Sequence, residues 1–197
     1  MKGILKLGFI LALFATAACV GLAFVYSLTE PIIAQRTQAD LEDALKELFP
    51  DADGFDDITG TIQSADPGVQ FGSAYAISQS SSLIGVALQA TIGSYGGLLR
   101  VLVGVGTDER ISHVKILEHS DTPGLGANVA SPAYFVNRAE GITFYGQFSC
   151  KSVQDNFQVK GDVIAITAAT ISSRAVTTAV QISSLAAYQW LQAQGGF

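Results

Sequence analysis

The distribution of hydrophobic residues sets the N-terminal segment apart from the rest of the chain. Residues 7–28 contain no charged side chain, and a helix of these 22 residues is long enough to cross the roughly 30 Å hydrocarbon core of a bilayer. Lys2 and Lys6 precede this segment, and Glu30 follows it. Because positive residues tend to stay in the cytoplasm, we expect a single-pass anchor in the inner (cytoplasmic) membrane with the C-terminal domain on the extracytoplasmic side.

A cleaved leader is the alternative to a retained anchor. Residues 15–18 are small, as at a signal-peptide cleavage site, and Cys19 suggests a lipoprotein site, although Thr16 stands where such sites usually have leucine. Either kind of cleavage would leave residues 20–26 as an apolar tail without a role. An uncleaved anchor accounts for the whole apolar run and is therefore the expected form.

Two prolines are expected to end helices in the N-terminal part. Pro31 disfavours helical geometry at Glu30, which predicts that the membrane helix ends there. Apolar residues between 37 and 49 recur with the period of a helix, and Pro50 follows them. The predicted organisation is a cytoplasmic N-terminus with the anchor at 1–29, a helical connector leading into the domain at 30–70, and the main domain at 71–197.

The main domain is predicted to be α+β. Its middle part has the alternating and short apolar runs of strands separated by turns, and the predicted strands are Phe71–Ser78, Gly85–Ile92, Leu98–Val105 and Ile111–Leu117. Short connections between consecutive strands favour an antiparallel meander. A broad apolar face from Thr170 to about Ala193 predicts a long helix, so the fold is an antiparallel sheet packed with helices.

Composition narrows the possible functions. Only 14% of the residues are charged and the net charge is −6, so no nucleic-acid partner is expected, because phosphate binding requires clustered Lys and Arg. Cys19 and Cys150 lie far apart, and with only two histidines no metal site is expected. The sequence has neither a Gly-x-Ser-x-Gly elbow nor a P-loop, and no catalytic residue is predicted.

Two polar segments are the candidates for chemistry. Asp121-Thr-Pro-Gly-Leu-Gly126 follows a predicted strand and has the composition of a turn whose backbone can approach a planar ligand. Thr167-Ala-Ala-Thr170 opens the C-terminal helix, where free N–H groups attract an anion such as phosphate. The alternatives are an ordinary loop for the first segment and a Thr or Ser N-cap for the second, and the residues alone leave both open.

With a third segment, these motifs resemble the FMN-binding domain of Rnf electron-transport complexes and of the sodium-pumping NADH:quinone reductase. Members typically carry Glu/Asp-Thr-Pro-Gly-Leu-Gly, a Phe-x-x-Gln-Phe-x-x-Lys-like segment, and Ser/Thr-Gly-Ala-Thr. The middle segment here is Phe144-Tyr-Gly-Gln-Phe-Ser-Cys-Lys151, and the similarity runs from about Phe71 to Gln181. Two positions depart from the family: Ala168 replaces its glycine, and Ile164 replaces an aspartate often found six residues before the last threonine.

The resemblance implies a cofactor and a set of residues that hold it. The cofactor is FMN, joined by a phosphodiester to Thr170 by a separate flavin transferase. Residues 121–126 would contact the ring region, Lys151 would neutralise negative charge near it, and residues 167–173 would hold the phosphate end. The implied cofactor-binding residues are Tyr95, Asp121, Thr122, Gly124, Leu125, Gly126, Lys151, Thr167, Ala168, Ala169, Ser172 and Ser173.

The resemblance also implies a place in a larger assembly. It points to the G subunit of an Rnf-type ferredoxin:NAD oxidoreductase coupled to ion translocation. Such a protein relays electrons to or from a flavin-bearing membrane subunit and has no stand-alone catalysis. The alternatives are the C subunit of the sodium-pumping NADH:quinone reductase and a flavin-free, membrane-anchored binding module.

Overall fold

The computed structural model describes residues 2–195, which fall into two compact units, Met1–Glu42 and Asp43–Phe197. The first unit belongs to helix α1 (Lys2–Leu48), whose C-terminal end lies in the second unit. The N-terminal part of α1 is apolar and long enough to cross a membrane, and its large hydrophobic side chains are exposed. These features are consistent with a single membrane anchor.

The predicted end of the membrane helix at Glu30-Pro31 is wrong, because α1 continues through Pro31. Pro31 has no N–H to donate to the carbonyl oxygen four residues earlier, so the helix loses one backbone hydrogen bond there without ending. The Thr29 hydroxyl donates to the carbonyl oxygens of Val25 and Tyr26 at 3.0 and 3.2 Å. The helix that was predicted at 37–49 is the C-terminal part of α1, which ends just before Phe49 and Pro50.

The second unit is built on a five-stranded antiparallel sheet with its strands in chain order. The strands are β1 (Gly54–Asp57), β2 (Val69–Gln79), β3 (Ser82–Gly93), β4 (Leu98–Gly106) and β5 (Ile111–Glu118). The four predicted strands and their meander order are confirmed, with some ends shifted by a few residues. Sequence patterns did not predict β1, because Gly-Phe-Asp-Asp is too short to show alternation.

The continuous apolar run of β4 is explained by burial on both faces of the sheet. Helix α2 (Thr170–Ala193), at the predicted position, packs against β3 and β4, and its Val180 shares one core with Val101 and Val103. On the opposite face the Phe49 ring lies so close to the sheet that a Cβ added at Gly104 would be 2.9 Å from it. Glycine at this position therefore makes room for Phe49.

The connections at one end of the sheet lead to the candidate motifs. Gly93 pairs with Leu98 across the β3–β4 turn, and Glu118 at the end of β5 pairs with Arg100. The turn at 94–97 and the loop after β5 therefore leave the sheet at the same end. Between this loop and α2 lie two 3-10 helices (Gly126–Val129 and Gly146–Phe148) and a small hairpin of β6 (Phe135–Asn137) and β7 (Ile142–Thr143).

Candidate functional site

Asp121 ties the loop after β5 to the β3–β4 turn. Its side chain is buried, with one carboxylate oxygen accepting a hydrogen bond from the Ser94 hydroxyl at 2.6 Å and the other from the Gly96 N–H at 2.7 Å. A Cβ at Gly96 would clash with the Ser120 carbonyl oxygen, so only glycine fits this approach. Asp121 thus holds in place the turn that carries Tyr95, while its own carboxylate is directed into that turn.

The start of α2 has unsatisfied N–H groups. The first N–H groups of any helix lack intrahelical partners. Here the N-cap residue is Ala169, which supplies no side-chain hydrogen bond, and the first turn contains no acidic residue. The Thr or Ser cap considered from the sequence is therefore not present, and Thr170 is instead the first helical residue.

A cleft of about 380 Å³ lies where the β3–β4 turn, the loop after β5 and the start of α2 meet. This volume is typical of small-ligand sites. Exposed apolar side chains line it: Tyr95 is 72% exposed, Leu125 44% and Ile171 56%. The other lining residues are Thr122, Gly126, Ala168, Ala169, Thr170 and Ser172. Seven of the cofactor-binding residues that the resemblance implies therefore line this cleft together with Thr170. Ile171 also lines it; this residue lies within the implied range 167–173 but was not named individually.

Gly126 and Ser172 join the first motif to the helix start. A Cβ at Gly126 would lie 2.6 Å from the Ser172 hydroxyl oxygen and 2.8 Å from the Asp121 Cβ, so a larger residue would separate the two segments. The Ser172 side chain is only 1% exposed, and its hydroxyl makes no hydrogen bond within the described part of the chain. Among residues 2–195, Ser172 is thus a largely buried polar residue that lines the cleft without a protein partner for its hydroxyl.

Gly124 and Ser173 are not among the residues that line the cleft. Gly124 has a φ of +77°, and its carbonyl oxygen accepts a hydrogen bond from the Asn128 side chain at 3.0 Å. The fully buried Ser173 hydroxyl accepts from the Ile166 N–H at 3.0 Å and donates to the Ala169 carbonyl oxygen at 2.9 Å. Both residues shape the backbone of the motifs, and neither presents a free polar atom to the cleft.

A second cleft of about 460 Å³ lies along the segment before α2. Thr167 lines this cleft, and Ala168 and Thr170 line both clefts. Ala168 has a φ of +62°, a conformation that glycine adopts at little cost. This backbone geometry gives a physical reason why the Ser/Thr-Gly-Ala-Thr motif usually has glycine at this position.

Lys151 lies outside the lining of the first cleft and is paired with carboxylates. Its ammonium is 3.1 Å from an Asp162 oxygen and 3.9 Å from an Asp155 oxygen. Burial raises the pKa of Asp162, but hydrogen bonds from the Gln158 N–H and Lys151 outweigh burial, so this pKa lies below its ordinary value. The pair orders the loop that leads to Thr167.

The residues present fit a flavin mononucleotide. The N–H groups at the start of α2, which no side chain caps, suit a phosphate, because they donate hydrogen bonds and the helix end carries partial positive charge. The Ser172 hydroxyl, which has no partner among the described residues, can donate a further hydrogen bond. The apolar side chains of Tyr95, Leu125 and Ile171 suit the faces of a planar ring system.

Comparison with known proteins agrees with this fit. Residues 94–183 match the family described as the FMN-binding domain, and this range contains every segment of the first cleft. Residues 1–48 match the family described as the RnfG N-terminal region. The protein therefore combines an FMN-binding domain with the N-terminal region of Rnf G subunits.

Similar proteins narrow the class further. The chain is 31% identical to the G subunit of the proton-translocating ferredoxin:NAD(+) oxidoreductase complex of Clostridium ljungdahlii, over 81% of this chain and 78% of the relative. It is 28% identical to the G subunit of the ion-translocating oxidoreductase complex of Methanosarcina acetivorans, over 99% of this chain and 98% of the relative. The corresponding protein of Shewanella piezotolerans is 29% identical over 93% and 89%. The chain belongs to the family of G subunits of Rnf ion-translocating oxidoreductase complexes.

Proposed function

We propose that this protein is an electron-transfer subunit that carries FMN covalently on Thr170, in a membrane-bound Rnf-type ferredoxin:NAD oxidoreductase coupled to ion translocation. The observation that carries the proposal is the position of Thr170, whose hydroxyl-bearing side chain lines the cleft at the uncapped start of α2. A phosphate esterified at this position would lie within reach of the unsatisfied N–H groups.

Each part of the site has a separate role in this proposal. FMN supplies the electron chemistry, and the protein binds and orients it. The apolar rim holds the ring system, and the helix start and the Ser172 hydroxyl hold the phosphate. Four further residues act indirectly, because they fix the backbone that presents the lining residues; they are Asp121, Gly124, Lys151 and Ser173.

The linkage requires a maturation step. A phosphodiester forms when the Thr170 oxygen replaces a leaving group on an activated FMN phosphate, such as the nucleotide half of a flavin dinucleotide. The new oxygen–phosphorus bond replaces the bond to the leaving group, and the hydroxyl proton passes to a base of the flavin transferase. The second cleft also exposes Thr170 and the preceding Ala168 and Thr167. We infer that the transferase approaches the acceptor from this side.

The placement in the cell follows from the anchor. The apolar part of α1 would hold the protein in the inner membrane, with the FMN-binding domain on the extracytoplasmic side. The domain would exchange electrons there with a flavin-bearing membrane subunit of the complex. The match of residues 1–48 to the RnfG N-terminal region favours a G subunit over the C subunit of the sodium-pumping quinone reductase.

Flavin fluorescence after denaturing electrophoresis tests the proposal. The full-length protein is co-expressed with a flavin transferase and compared with the same protein expressed without one. Covalent flavin survives denaturation, so we expect a fluorescent band only after co-expression. A dark band in both samples, with correctly folded protein, would favour a flavin-free binding module or noncovalent FMN.

A further inference from the structure

Within the part of the chain that the structure describes, Arg174 is a cation without a protein partner next to the proposed attachment site. A phosphodiester on Thr170 carries one negative charge, yet the residues that line the first cleft include no charged side chain. We propose that Arg174 is the counter-ion that neutralises the phosphodiester of the bound flavin, a role that rests on the proposed function. Arg174 is then a positioning residue for the cofactor and takes no part in electron transfer.

The helix places Arg174 within reach of the phosphate. It follows Thr170 by four residues, so the two side chains lie on the same face of α2 with Cβ atoms about 6 Å apart. Side chains on a helix point towards its N-terminus, which directs the guanidinium of Arg174 back towards Thr170. Arg174 is exposed and forms no ion pair or hydrogen bond among residues 2–195.

A second feature marks the same end of α2 as a place where a ligand binds. The Ser172 hydroxyl is buried at the cleft, 2.6 Å from the position that a Cβ of Gly126 would take, and it has no hydrogen-bond partner in the described chain. Polar side chains buried to this extent usually have a hydrogen-bond partner, so this hydroxyl is available to a ligand or water in the cleft. Ser172 and Arg174 therefore bracket the phosphate position from the buried and the exposed side.

The other basic residues of the FMN-binding domain are engaged or lie elsewhere. Arg100, Lys115 and Lys151 form ion pairs, and Arg110 donates to the Cys150 carbonyl oxygen at 2.7 Å. Lys160 lines the second cleft, which Thr170 also lines, so it is the competing counter-ion. Arg138, which lies between β6 and β7, is an arginine without an ion pair among the described residues and serves as the control.

Thermal unfolding of the full-length protein in detergent, with and without covalent FMN, tests this role. The variants are Arg174→Gln, Arg174→Lys, Lys160→Gln and Arg138→Gln. We expect Arg174→Gln to leave the flavin-free melting temperature unchanged and to lower that of the flavin-loaded protein by about 3 °C. This decrease in melting temperature should be smaller in high salt, because salt screens the charge interaction. Arg174→Lys keeps the positive charge and should largely retain the melting temperature of the wild type. Arg138→Gln should behave like the wild type.

The outcomes separate this inference from the proposed function. A wild type that takes up no covalent flavin overturns both. If the wild type carries covalent flavin but Arg174→Gln changes the melting temperatures of the loaded and flavin-free forms equally, or changes neither, only the role of Arg174 is overturned. A selective shift in Lys160→Gln alone assigns the counter-ion to Lys160 instead.

A titration covers the case in which Arg174→Gln accepts no covalent flavin. In full-length protein carrying Thr170→Val, FMN and riboflavin are compared by calorimetry, since riboflavin lacks the phosphate. We expect Arg174→Gln to weaken FMN binding about 10-fold and to leave riboflavin binding unchanged. Equal weakening for both ligands contradicts a phosphate contact.

Discussion

Ala168 occupies a backbone conformation that suits glycine better than alanine. Its φ of +62° is costly for a residue with a Cβ, while a glycine loses more entropy on folding. We expect Ala168→Gly to raise the free energy of unfolding by about 0.5–1 kcal/mol, measured by chemical denaturation. Ala169→Gly is the matched control, because the φ of Ala169 is −131° and this substitution should destabilise. A lower stability for Ala168→Gly would contradict the assigned backbone geometry.

The carboxylate of Asp162 makes part of the stability dependent on pH. Because its pKa is lower in the folded protein, its contribution is present above the unfolded pKa of about 4 and is lost as pH falls through the folded value. Asp162→Asn should therefore lower the melting temperature at pH 7 and match the wild type at low pH. The Asp155 carboxylate lies farther from the Lys151 ammonium, at 3.9 Å, so Asp155→Asn should lower the melting temperature less at pH 7. A pH-independent difference for Asp162→Asn contradicts this account.

The sequence made two segments candidates for the site, and it did not give the contacts of each residue in them. Gly, Pro and hydroxyl residues are typical of loops and helix starts, so composition alone left both segments open to ordinary structural roles. Only the family resemblance implied that residues 121–126 and 167–173 hold a cofactor. The direction of a side chain depends on partners far away in sequence. Asp121 contacts Ser94 and Gly96, and Lys151 contacts Asp162, and no local pattern reveals either pairing.

At the scale of elements, the C-terminal end of α1 is fixed to the sheet by Phe49. The ring is 7% exposed and lies against Gly85 and Gly104, on the face of the sheet opposite α2. Phe49→Ala should therefore lower the free energy of unfolding of the FMN-binding domain by about 3 kcal/mol, measured by denaturation in detergent. Phe135, which is 41% exposed, provides the control, and Phe135→Ala should cost clearly less. Equal losses for both variants would show that Phe49 is not packed as described.

Long periodic elements could be predicted, and short or interrupted ones could not. The alternation in β3 and the apolar face of α2 are direct consequences of burial on one side, so the sequence displays them. β1 is stabilised by pairing with β2, and its own four residues do not show a strand pattern that would predict this pairing. The helix end predicted at Pro31 was wrong because this proline removes only one backbone hydrogen bond, and α1 continues to Leu48.

At the scale of the whole molecule, the charge distribution around the apolar segment predicts orientation. Lys2 and Lys6 lie on its N-terminal side, so the FMN-binding domain should face away from the cytoplasm. Protease added to intact spheroplasts should digest this domain and leave a cytoplasmic marker protein untouched. Full protection of the domain until the membrane is permeabilised would reverse the orientation.

The central claim is that three distant segments combine to place FMN on one hydroxyl. The turn at 94–97, the loop at 121–126 and the start of α2 form one cleft, and Thr170 is the residue proposed to bond to the cofactor. Valine has the shape of threonine without the hydroxyl, so Thr170→Val should fold normally and carry no covalent flavin. Ser172→Ala and Ser173→Ala are the controls, since they remove neighbouring hydroxyls at the same helix start.

Flavin fluorescence on a denaturing gel, with the wild type and these three variants co-expressed with a flavin transferase, tests this claim most directly. We expect fluorescent bands for the wild type, Ser172→Ala and Ser173→Ala, and a dark band for Thr170→Val. A fluorescent Thr170→Val band beside a dark band for either serine variant would contradict the assignment and move the attachment site to that serine.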